Sequence, residues 1–149
     1  MSNKMNVAVL FSLAVILVQP FNSAFAADDF RLKGSKRSPE TVTGATTVDA
    51  EKAKKLFDKE VIFVDVRKDK DWQAGRIPGA YHLELKEVFN KDSLSNLVNI
   101  SAPVVFYCNG PKCLRSSKSA IKAVSWGFKK VFYFRGGLPA WRKAGYPVE

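Results

Sequence analysis

Residues 103–116 read Pro-Val-Val-Phe-Tyr-Cys-Asn-Gly-Pro-Lys-Cys-Leu-Arg-Ser. The β-branched and aromatic run at 104–107 has the composition of a strand buried on both faces. Pro103 stands at its first position, where a missing amide is tolerated. From Cys108 the character changes to a polar loop with a glycine, a proline, two cations and a second cysteine. A helical pattern follows from about residue 116 to 126 and stops at Gly127, a residue suited to a left-handed helix cap. A buried strand that leaves through a loop into a helix is one unit of an open α/β sheet. Ligands of such sheets collect beyond the carboxyl ends of the strands, and Cys108 stands at that position.

The rest of the chain repeats the alternation of strand and helix. Residues 46–48 predict a short strand, and Asp49 an N-cap for a helix with Ala50, Ala53, Leu56 and Phe57 on one face. Val61-Ile62-Phe63-Val64-Asp65-Val66 is a second buried strand. Gly75-Arg76-Ile77-Pro78-Gly79-Ala80 is a turn, after which residues 81–83 resume a short strand. Residues 85–89 and 93–98 read as helical, 131–134 as the last strand, and 138–144 as a terminal helix closed by Gly145. No internal repeat interrupts this order.

Two segments precede the domain. Residues 1–26 have the three parts of a secretory signal: Lys4 in a short basic start, an apolar run over 7–18, and Ala24-Phe25-Ala26 as a small-x-small cleavage site. The apolar run is well short of the ~20 residues that span a bilayer, so stable membrane insertion after cleavage is not expected. Residues 27–45 are polar, contain glycine and proline, and read as a flexible linker. The domain is expected over 46–149. Export, most simply to a periplasm, follows from the signal.

The chain of 149 residues carries a formal charge of +10, and removing Lys4 leaves +9. Such a surface suits anions, and export argues against nucleic acid as the partner. Two cysteines exclude a disulfide-rich scaffold. With the single histidine, His82, they are too few for a four-ligand structural zinc site. A single domain without a coiled-coil pattern gives no reason to expect more than a monomer.

A thiol at position 108 feels the positive end of the following helix and several loop amides, and both favour the thiolate. Lys112 and Arg115 add positive charge that suits an anionic substrate. The alternative is that Cys108 is a small buried hydrophobe capping a strand. Asp65 and Arg67 end a neighbouring strand, where an ion pair that holds the strand end is the simpler expectation. His82, lacking a partner at catalytic spacing, reads as structural, and Ser116 as a helix cap.

Four stretches together resemble the rhodanese family, in the family's order: residues 61–67, residues 75–80, Val104-Val105-Phe106-Tyr107-Cys108, and Arg135-Gly136-Gly137-Leu138-Pro139-Ala140-Trp141. The resemblance covers residues 46–149. It implies a three-layer α/β fold with a central five-stranded parallel sheet flanked by helices. It also implies a sulfurtransferase whose nucleophile is Cys108, cradled by Asn109, Gly110, Lys112, Cys113, Leu114, Arg115 and Ser116. In that chemistry the thiolate takes the outer sulfur of a small anionic donor such as thiosulfate, becomes a persulfide, and passes the sulfur to a thiol or cyanide-like acceptor. No cofactor or metal is required.

The loop departs from the family pattern, in which about five residues separate the cysteine from the last cradle residue. Here Arg115 lies seven positions after Cys108, and Pro111 has no amide to donate. Cys113 admits three readings: a disulfide partner of Cys108, a resolving thiol that attacks the persulfide, or loop packing. Three other functions remain open beside sulfur transfer. A phosphatase with a cysteine loop wants an arginine six positions on, where this chain has Leu114. A thiol redox protein would use Cys108 and Cys113, although their spacing is not C-x-x-C. A non-catalytic module would only bind a partner or a sulfur species.

Overall fold

A computed structural model describes residues 37–149. The signal-like segment and the linker as far as residue 36 lie outside the described residues. Five parallel strands form one sheet: β1 Ala45–Thr47, β2 Ile62–Asp65, β3 Tyr81–His82, β4 Pro103–Tyr107 and β5 Lys130–Phe134, in the spatial order β1-β5-β4-β2-β3. β4 is the central strand. It pairs with β2 from Ile62↔Val104 to Asp65↔Tyr107, and with β5 from Pro103↔Lys130 to Tyr107↔Phe134.

Period-two alternation along these strands divides the apolar side chains between two cores. Val64, Val66, Val104, Phe106, Cys108, Val131 and Tyr133 face one way, and Phe63, Val105, Tyr107 and Phe134 the other. The helices α1 Ala50–Phe57, α2 Asp69–Gln73, α3 Lys91–Leu97, α4 Arg115–Ser125 and α5 Gly137–Lys143 connect and flank the strands. The first core takes in Leu94 of α3 and Ala120, Ile121 and Ala123 of α4. The second takes in Ala53 and Leu56 of α1 and Leu138 and Trp141 of α5. The result is the three-layer arrangement expected from the sequence. Trp141 anchors the second face, with ring centres 5.3 Å from Phe57, 6.0 Å from Phe63 and 5.0 Å from Tyr146.

Local chemistry explains most of the element ends. Asp49 accepts the Lys52 amide at 2.8 Å and caps α1 as expected. Asn90 and Ser93 form a reciprocal capping box, which starts α3 two residues earlier than the apolar pattern suggests. Residues 85–89, expected to be helical, form only a turn. The Glu84 carboxylate takes the amides of Lys86 and Glu87 at 2.5 and 2.8 Å, a local bond that competes with helix growth. The short helix α2 has no buried residue and no side-chain cap, so it leaves no periodic trace in the sequence.

The stretch expected as a linker is packed from Ser38 onward. Ser38 and Val42 are both buried, and Val42 joins the first core. The folded part therefore begins before residue 46.

Gly137 has φ +57°, and a Cβ there would drive into the Cys108 carbonyl. Gly79 has φ +67° with open space around it. Both tolerate a side chain poorly, but for different reasons. Gly79→Ala is expected to lower stability by about 1 kcal/mol through backbone strain alone. Gly137→Ala adds the clash and should exceed about 2 kcal/mol. Urea denaturation of the two variants measures the difference, and equal losses would contradict the close approach.

Candidate active site

The loop of residues 108–116 is fixed at several points. The Cys108 carbonyl accepts the Leu138 amide at 3.0 Å. Gly110, at φ +92°, lies against the Gly136 carbonyl, and its own carbonyl accepts the Cys113 amide at 2.9 Å. Pro111 has no amide to give, but its carbonyl accepts both the backbone amide and the hydroxyl of Ser38, at 2.8 and 3.1 Å. The Ser38 carbonyl in turn accepts from the Arg135 guanidinium, and the Tyr133 hydroxyl donates to Pro39. Residues 38 and 39 thus strap the outside of the loop to β5.

Two free thiols occupy the loop. Cys108 is fully buried at the end of β4, its sulfur 3.1 Å from the Ser116 hydroxyl and 3.4 Å from the Cys113 carbonyl oxygen. Burial pushes its thiol well up, and the neighbouring Cys113 adds to the rise against the opposing Ser116 contacts. Cys113 is only partly buried. The hydrogen bond from Cys108 lowers its thiol, burial opposes this, and the amides of Arg115 and Asn109 and the Arg115 charge favour the thiolate, bringing it down to about 6. α4 begins directly after this loop, with Leu114 at its N-cap position, so its dipole favours negative charge at Cys113.

The surroundings are basic. A recess of about 370 Å³ is lined by Cys113 together with Lys68, Lys70, Asn109, Lys112 and Arg115, with Asp71 as its one acidic member. Arg115 is held sideways, donating to the Val66 carbonyl at 3.1 Å and pairing with Glu84. Burial disfavours the Glu84 charge. The amides of Lys86 and Glu87 and the Arg115 guanidinium nevertheless hold its carboxyl below the ordinary value.

Asp65 and Arg67 form a buried ion pair, with Nε to both carboxylate oxygens at 2.9 Å and Nη2 to Oδ2 at 2.6 Å. The same Nη2 donates to the Gly75 carbonyl at 2.7 Å. The Tyr107 hydroxyl accepts the Ile77 amide at 3.2 Å. At the other end, Arg67 Nη1 reaches Asn109 Oδ1 at 3.4 Å, and Asn109 donates to Asp71 at 3.1 Å. Asp65 and Arg67 therefore support Asn109 in the loop without touching either thiol.

All of the loop residues named from the sequence come together here. Lys112 and Asn109 are exposed, while Gly110 and Ser116 are buried. His82 lies outside the loop: it stacks on Trp72 at 4.7 Å and contacts the Arg67 carbonyl at 3.0 Å. Sequence reading missed Glu84, Ser38, Tyr107, Asp71 and Leu138. Only Glu84 left a signal, as an isolated acid in an apolar stretch. Among the described residues no group of three or more His, Cys, Asp and Glu side chains is placed to hold a metal ion, and no helix is long and apolar enough to cross a membrane.

A parallel α/β sheet with a cysteine loop between its central strand and a helix N-terminus defines a class of three-layer α/β domains. The chain belongs to one family of that class, the rhodanese-like domain, whose family profile matches residues 49–144. It is 35% identical over 100 residues to the thiosulfate sulfurtransferase GlpE of Pseudomonas putida, covering 66% of this chain and 86% of that protein. It is 34% identical over 90 residues to the HTH-type transcriptional regulator Rv0324 of Mycobacterium tuberculosis, covering 60% of this chain but only 38% of the regulator. The crystal structure of the BH2092 protein from Bacillus halodurans superposes with a TM-score of 0.63 at 28% identity, over 70% of this chain and 77% of that one.

Removing one member of a buried ion pair strands the other. Asp65→Ala is expected to lower stability by about 3–5 kcal/mol. The double variant Asp65→Ala/Arg67→Met should lose clearly less than the sum of the two single losses. Urea denaturation of all four proteins checks the cycle, and additive losses would show that the pair is not coupled.

Proposed function

We propose that the chain is a sulfurtransferase. It takes a sulfane sulfur from a small anionic donor of the thiosulfate kind, holds it as a persulfide in the loop of residues 108–116, and hands it to a thiol or a cyanide-like acceptor. The observation that carries this reading is the Cys113 sulfur, which lines a recess rich in lysine and arginine directly before the start of α4. A persulfide there carries the same charge as a thiolate, and the helix start and the cations of the recess favour it as an oxyanion hole favours a developing anion. The basic recess in front of the loop suits a doubly charged donor and retains the sulfite that departs.

The similarity to a thiosulfate sulfurtransferase supports the same reading. The phosphatase alternative wants an arginine aimed into the loop, whereas Arg115 is turned toward Glu84 and the Val66 carbonyl. The proposed enzyme is a single chain without a cofactor. Lys4, the apolar run over 7–18 and Ala24-Phe25-Ala26 support its export, most simply to a periplasm.

Reduced protein incubated with thiosulfate and then cyanide is expected to form thiocyanate and, before cyanide is added, to gain one sulfur atom in its intact mass. The folded double variant Cys108→Ser/Cys113→Ser should do neither. A wild-type protein that gains no sulfur, forms no thiocyanate and cleaves a phosphate ester would overturn the proposal.

A further inference from the structure

We propose that Cys113 is the thiolate that attacks the sulfur donor, and that Cys108 is a resolving thiol that discharges the resulting persulfide by closing a Cys108–Cys113 disulfide and releasing hydrosulfide. The inference rests on the sulfur-transfer reading above and assigns its two thiols.

Access is the first argument. An anion arriving through the basic recess meets Cys113, which lines it, while Cys108 does not line it and has no exposed surface. Attack by Cys108 on a donor would require the loop to open. The Cys108 backbone is also the fixed part of the site, with its carbonyl bonded to Leu138 and pressed against Gly137. The second argument is electrostatic. The recess at the Cys113 sulfur carries Lys68, Lys70, Lys112 and Arg115 against one acid, Asp71, and α4 starts directly beyond it, so negative charge is favoured there, while burial disfavours a thiolate at Cys108. A buried thiol, its sulfur 3.4 Å from the carbonyl oxygen of a more open cysteine, is placed as a resolving partner beside a nucleophile.

The steps balance. Cys113 thiolate attacks the outer sulfur of thiosulfate, the S–S bond of the donor breaks, and sulfite leaves with its electron pair. The product is a Cys113 persulfide anion. Cys108 then attacks the inner sulfur of that persulfide, a Cys108–Cys113 bond forms, and the outer sulfur departs as hydrosulfide carrying the Cys108 proton. The two cysteines are oxidised by two electrons and the sulfane sulfur is reduced. A dithiol reductant resets the pair, so the complete cycle turns thiosulfate and a dithiol into sulfite, hydrosulfide and a disulfide. When a stronger external acceptor arrives first, the same persulfide transfers its sulfur outward instead.

A single turnover without reductant separates the roles. Pre-reduced wild type mixed with thiosulfate is expected to release both sulfite and hydrosulfide and to end as an internal disulfide, read by intact and peptide mass. Cys108→Ser should release sulfite only and keep the added sulfur on the Cys113 peptide. Cys113→Ser should take up sulfur about tenfold or more slowly. Loading of Cys113→Ser at the wild-type rate, with sulfur on Cys108, would overturn the assignment while leaving sulfur transfer intact. A stable wild-type persulfide with no hydrosulfide would overturn the resolving step. No sulfur uptake by wild type would sink the sulfurtransferase reading itself.

Because serine at position 108 is buried and can impair folding, alkylation of the wild type provides a check that needs no variant. Iodoacetamide should modify Cys113 first, at a rate that falls as pH drops through about 6 because the thiolate is then protonated. The charges facing this sulfur are those of Lys68, Lys70, Asp71, Lys112 and Arg115. First modification at Cys108 would overturn the proposal.

Discussion

The hydrogen bond from the Leu138 amide to the Cys108 carbonyl, 3.0 Å long, joins the end of the central strand to the start of the last helix. β4 has neighbours on both sides, so its backbone bonds are used within the sheet until Tyr107. Cys108 is the first residue beyond that pairing, and its carbonyl needs another partner once buried. The Leu138 amide provides it, and the approach is possible because Gly137, just before it, has no Cβ to drive into that carbonyl. The helix that follows then places Trp141 in the second core among Phe57, Phe63 and Tyr146. Packing on one face of the sheet thereby fixes the floor of a site that opens on the other.

The charges around the loop are arranged in two tiers. The buried tier, Asp65 and Arg67 with Tyr107, is neutral as a pair and satisfied by the Gly75 carbonyl and the Ile77 amide. Its contribution is positional: it holds Asn109, which lines the recess beside Cys113, through a bond from Arg67. The outer tier is unbalanced. Lys68, Lys70 and Lys112 project beside a single Asp71, and Arg115 is only partly offset by Glu84. A low-dielectric floor beneath an excess of positive charge concentrates small anions at the mouth of the loop.

The sheet was legible because β2, β4 and β5 are buried on both faces and appear as apolar runs bounded by glycine, proline and charge. The Asp49 cap and the Gly127 stop were legible for the same local reasons. What escaped was structure made by single polar contacts. Residues 38 and 39 bind the loop mainly through backbone atoms and one hydroxyl, so a polar stretch that carries no period is nevertheless ordered against the site. The turn at residues 85–89 has apolar residues at helical spacing, Leu85 and Phe89, but its fate is decided by the Glu84 side chain. Of the site itself, the sequence disclosed which residues share the loop and that it is longer than its relatives' pattern. It could not disclose which of two cysteines lies deeper, because depth depends on how two extra residues fold back over the first thiol.

That fold-back changes what a longer loop does. In a short loop the strand-end thiol would be the only sulfur and the amides would converge in front of it. Here the added residues bring a second sulfur to the lining of the basic recess, while the first has no exposed surface. Ser116, at the start of α4, then serves the inner thiol, with its hydroxyl 3.1 Å from the Cys108 sulfur. The Cys108 thiol itself donates to the Cys113 carbonyl oxygen at 3.4 Å. Moving negative charge outward to Cys113 leaves the buried position neutral, which is the lower-energy distribution because desolvation penalises a charge most where no surface is exposed. The insertion of a second cysteine and the burial of the first are therefore one physical change: the loop keeps its anion at the rim and its proton inside.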